Sequence, residues 1–64
     1  MNTPEDDAHA QAALEQMSAA GIPVTGWEFK QLGYYFRFTR KLTSDEWSAA
    51  NIIAWRNINP AIPG

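Results

Sequence analysis

Apolar and polar positions alternate with period two through residues 24–41, VTGWEFKQLGYYFRFTRK. Trp27 and Phe29 alternate with Glu28 and Lys30. Tyr34, Phe36 and Phe38 alternate with Tyr35, Arg37, Thr39 and Lys41. Period two with aromatic enrichment marks half-buried antiparallel strands, so this stretch predicts a β-hairpin. Its turn falls near Lys30-Gln31-Leu32-Gly33, where Gly33 adopts a left-handed conformation at least cost. Setting Phe29 opposite Tyr34 brings Trp27 opposite Phe36 and Thr25 opposite Phe38. Every alternating ring then lies on one face, and Glu28 stands diagonal to Arg37 on the other. A slip of one residue would mix the faces.

The flanking segments carry helical spacing. Thr3 has the chemistry of an N-cap, Pro4 suits the first helical position, and Glu5, Asp6 and Asp7 oppose the helix dipole. A helix is expected over residues 4–20, with a thin stripe of Ala10, Ala13, Leu14, Met17 and Ala20, and Gly21 as its left-handed cap. Pro23 prevents continuation, and Ile22 and Val24 are expected to seal the base of the core. Thr43 and Glu46 have capping-box spacing, with Leu42 and Trp47 at the staple positions. A second helix is expected from Ser44 to residue 56 or 57. Its core face holds Trp47, Ala50, Ile53, Ala54 and Ile58, while Ile52 and Trp55 form a second apolar patch that one hairpin does not account for. Residues 58–64 are expected as an extended tail, Pro60 and Pro63 excluding helix and Ile62 pinning it.

A two-stranded hairpin is marginal alone, so both helices are expected to roof its aromatic face. The predicted fold is α+β, a single α-β-β-α domain over residues 1–64. A chain of 64 residues without cysteine buries a small core, and a partner or a second copy adds burial. The lack of Cys also excludes disulfides and thiolate metal sites. No apolar run is long enough for a membrane helix and no signal pattern is present, so a soluble, cytoplasmic protein is expected.

Charge changes the picture at the hairpin. Residues 1–20 carry four acids, residues 21–42 carry Glu28 against Lys30, Arg37, Arg40 and Lys41, and residues 43–64 carry Asp45 and Glu46 against Arg56. The net charge is −2, with a basic hairpin between acidic flanks. Interleaved rings and cations suit nucleic acid, where rings stack on bases and cations hold phosphates. The nearest such pattern, the RNP1 strand of RRM domains, is met at Gly33, Tyr34 and Phe36. It is missed at Leu32, Tyr35, Arg37 and Thr39, and the chain is too short for that fold.

Catalytic chemistry has little support. His9 has no second His or Cys to share a metal, Ser44 and Ser48 have no base beside them in sequence, and the carboxylates cluster where helix starts explain them. No Gly-rich phosphate loop is present. No catalytic residue, metal or cofactor is expected. The expected function is a small non-enzymatic protein-interaction module that binds, regulates or inhibits a larger protein. Trp55, Ile52, Tyr35 and Arg37 are its contact residues, with homodimerisation through a hairpin edge or the second helix as a further route. The alternative is nucleic-acid binding by Lys30, Tyr35, Arg37 and Lys41.

Overall fold

The computed structural model describes residues 4–31 and 33–58. The expected N-cap Thr3, the turn residue Leu32 and the tail at 59–64 with Ile62 lie outside the described residues. The element order is α1 (Pro4–Ala19), β1 (Val24–Lys30), β2 (Gly33–Phe38) and α2 (Ser44–Ile58). The domain is α+β, with the strands joined as an antiparallel hairpin. Ile58, expected to begin the tail, is helical.

The α1 stop follows from local chemistry. Gly21 sits at φ 86°, the Ile22 N–H donates to the Met17 carbonyl and the Gly21 N–H to the Ser18 carbonyl, both at 3.0 Å. These two bonds make a Schellman cap, and Met17 and Ile22 complete it by meeting in the core. Ala20, expected in the apolar stripe, is exposed because it lies past the last helical residue, at the cap. The α2 start is the expected capping box. The Thr43 N–H donates to Glu46 Oε1 at 2.9 Å and the Glu46 N–H to Thr43 Oγ1 at 3.2 Å.

The register is the expected one from Trp27 onward: Trp27 faces Phe36 and Phe29 faces Tyr34. It departs at the base, where Val24, not Thr25, faces Phe38 across a bulge. The bulge turns apolar Val24 into the core and leaves Thr25 exposed, with Oγ1 donating to the Arg37 carbonyl at 3.2 Å. Regular pairing would have done the reverse. The turn differs too. Gln31 is left-handed at φ 58°, and Gly33 lies outside that region and pairs with Lys30. A two-residue loop whose first residue is left-handed matches the hairpin's own twist. β2 ends at Phe38, short of the expected Lys41, because the chain bends to deliver Leu42 to the core.

Both helices lie on the aromatic face, α1 along β1 and α2 chiefly on α1. The core is Ala13, Met17, Ile22, Leu42 and Ala50, with Val24, Phe36, Phe38 and Ile53 against it. Small residues let the helices approach closely, and Gln16 and Asn57 lock the seam by exchanging amide hydrogen bonds at 3.1 and 3.3 Å. Polar clasps hold α1 to the hairpin. Trp27 Nε1–H donates to Gln11 Oε1 at 3.0 Å, and the Tyr34 hydroxyl donates to Asp7 Oδ1 at 2.9 Å.

Two substitutions of opposite sign test the backbone. Gly21→Ala meets open space yet forces a Cβ into the left-handed region, so urea denaturation should show a loss of about 1–2 kcal/mol. Gln31→Gly relieves the same strain and should gain about 0.5 kcal/mol after the unfolded-state entropy is counted.

Candidate functional site

Packed helices stand about 8–10 Å apart and paired strands about 4.8 Å. A helix pair is wider than a hairpin, so with α1 over β1, α2 does not seal the β2 side. A groove of about 800 Å³ results. Phe36 and Phe38 form its floor, Trp47, Trp55 and Ile58 its α2 wall, and Asp6 lies at its turn end. Trp47, Asn51, Trp55 and Ile58 reach it because spacings of four, four and three residues place them on one side of the helix. Trp47 was expected in the core. It is 48% exposed and packs edge-on against Phe38, with ring centroids 5.7 Å apart.

Trp55 is 54% exposed and Ile52 53%. They share a shallow concavity with Asn51 and Arg56 that continues from the groove around α2. The structure brings Trp55 and Ile52 together and adds Trp47, Phe36 and Phe38, which sequence reasoning had assigned to the interior. Their periodic spacing was the available signal.

The outer hairpin face carries the other expected residues. Tyr35 is 47% exposed, and Lys30 Nζ lies 5.5 Å from its ring centroid. The Arg37 guanidinium lies beside Gly26, within 3.8 Å of where a Cβ would stand. Lys41 is exposed beyond the strand end and apart from this strip. Glu28 stands diagonal to Arg37, as expected, and an ion pair joins Arg40 to Glu46. Arg40 clasps both Glu46 oxygens at 2.8 and 2.7 Å, joining the end of the hairpin to the α2 cap.

Three groups titrate away from their ordinary values. The hydrogen bonds to Glu46, and then its charge, push the Arg40 guanidinium up. Arg40's hydrogen bonds and then the Thr43 N–H hold the Glu46 carboxyl down at about 2. Desolvation, then the Asp7 hydrogen bond and the Asp6 and Asp7 charges, push the Tyr34 hydroxyl up to about 12. All three shifts belong to structural clasps. His9 is exposed on α1. Among the described residues no three His, Asp or Glu side chains gather as metal ligands, and no helix is long and apolar enough to cross a membrane.

Comparison with known proteins finds no matching family model, no matching curated protein and no matching solved structure.

Because the folded Glu46 carboxyl titrates below its ordinary value of 4.5, its stabilising contribution is present above that value and fades as pH falls toward about 2. Thermal melts from neutral pH downward should show wild type losing Tm across this window faster than Glu46→Gln. Parallel curves would contradict the clasp.

Proposed function

We propose that this chain is a small non-enzymatic protein-interaction module that binds and regulates, or inhibits, a larger protein. One observation carries the reading. Trp55, Ile52 and Trp47 stay about half exposed on a helix whose other side already packs on α1 and the hairpin. Contiguous exposed apolar surface on a small domain marks an interaction site, and tryptophan in a partly formed pocket is a frequent energetic centre of interfaces. Tyr35 also lines the groove, and Arg37, on the outer face beside Gly26, adds a cation to the same module.

Affinity capture from the source cells, followed by mass spectrometry, tests this. Trp55→Ala should weaken the captured partner by about 2 kcal/mol, roughly thirtyfold, with Ile52→Ser acting in the same direction. Glu15→Gln, remote from the groove, should leave capture unchanged. A captured set that ignores Trp55 would count against the module.

A second reading rests on the strip of Lys30, Tyr35 and Arg37, where a cation already lies over an exposed ring beside a second cation, with Lys41 further along the chain. Such a strip suits single-stranded nucleic acid. Oligonucleotide titrations at two salt concentrations should then show binding that weakens steeply with salt and is lost in Arg37→Glu. No binding at low salt eliminates this reading.

A further inference from the structure

β2 has β1 on one flank and, among the described residues, no strand on the other. Two contacts settle which way its backbone groups point. The Thr39 N–H donates to the Pro23 carbonyl at 2.9 Å, and the Arg37 carbonyl accepts from Thr25 Oγ1 at 3.2 Å. Both partners lie on the β1 side. Backbone groups alternate in direction along a strand. Tyr34, Phe36 and Phe38 therefore turn their N–H and C=O groups toward the open flank, while their side chains line the groove. An unpaired edge and an apolar groove coincide, which is the arrangement that accepts an added strand.

We propose that this edge binds an extended segment of another protein as a third strand, with sequence apolar-acidic-apolar-any-apolar. The inference rests on the interaction reading above and names the chemistry of the partner. An antiparallel guest places its first, third and fifth residues opposite Phe38, Phe36 and Tyr34. On that face the guest side chains meet the Phe36 and Phe38 rings and the Trp47 and Trp55 wall, so they are apolar. Its second residue lies opposite Arg37 on the outer face. The exposed Arg37 side chain, whose guanidinium stands beside Gly26 on the β1 side, swings across β2 to pair with an acid there. Its fourth lies opposite Tyr35 and is unconstrained. A second copy of this chain fits the edge less well. Four strands span about 14 Å and four helices need about twice that on one face. Its own β2 would also bring Arg37, not an acid, to the outer face.

The probe is the acetylated and amidated peptide Val-Glu-Val-Thr-Val, titrated into the isotopically labelled full chain and followed by amide exchange. Tyr34, Phe36 and Phe38 amides should become protected, while Tyr35 and Arg37 amides, already bonded to β1, should change little. Replacing the peptide's Glu by Lys should weaken binding, and Arg37→Glu should reverse that preference. Trp47→Ala and Trp55→Ala should weaken both peptides. Unchanged exchange at Tyr34, Phe36 and Phe38 at saturating peptide, or equal binding of the two peptides, overturns the proposal. So does protection of these amides without peptide as protein concentration rises, with the mass reaching twice 7.2 kDa, because the occupant is then a second copy. If a captured protein depends on Trp55 while the peptide fails, the added strand is wrong and the interaction module stands.

Discussion

The close seam between α1 and α2 sets the rest of this structure. Ala13 and Ala50 are buried there beside Met17, the largest fully buried side chain. Alanine contributes little transfer energy by itself, but it lets two backbones approach and brings neighbouring side chains into contact. The reciprocal Gln16–Asn57 amide pair adds direction to a contact that small apolar residues leave unspecific. With α2 anchored on α1, its hold on the sheet falls to long side chains, chiefly Phe36, Phe38 and Trp47.

The aromatic face is accordingly stabilised in a distributed way. Trp27, Phe29, Tyr34, Phe36 and Phe38 are each only partly buried. Trp27 and Phe29 both meet Tyr34 edge-on, with centroids 5.5 and 4.9 Å apart, and each such contact contributes about 0.5–1.5 kcal/mol beyond burial. Tyr34 is thereby tied to two rings and, through Asp7, to α1. At the opposite end, Arg40 and Glu46 perform the equivalent task for α2. A domain this short has little interior to spare, and these polar clasps fix geometry that a larger core would fix by packing.

The same width mismatch that limits the core creates the surfaces. A helix pair cannot seal a two-stranded sheet, so an aromatic floor, a tryptophan wall and a strand edge with no neighbouring strand among the described residues are left side by side. A third strand would widen the sheet to match the helices above it. Under the proposed reading, the incompleteness of the fold is what the partner completes.

Much of this was legible in the chain itself. Period-two alternation revealed the hairpin and its register from Trp27 to Phe36, because one face must be apolar and slipping it costs every ring. The Gly21 cap and the Thr43–Glu46 box were readable because caps are local chemistry, complete within a few residues. Three features were not. The bulge at Thr25 depends on whether Val24 or Thr25 finds an apolar neighbour, which Met17, Ile22 and Leu42 supply from distant positions. The left-handed turn residue is Gln31, not Gly33, because strand pairing dictates where the loop closes and overrides local conformational preference. The placement of Trp47 and Trp55 on one groove follows from the angle at which α2 meets α1. That angle is set by side chains on two helices at once, so no single stretch of sequence contains it.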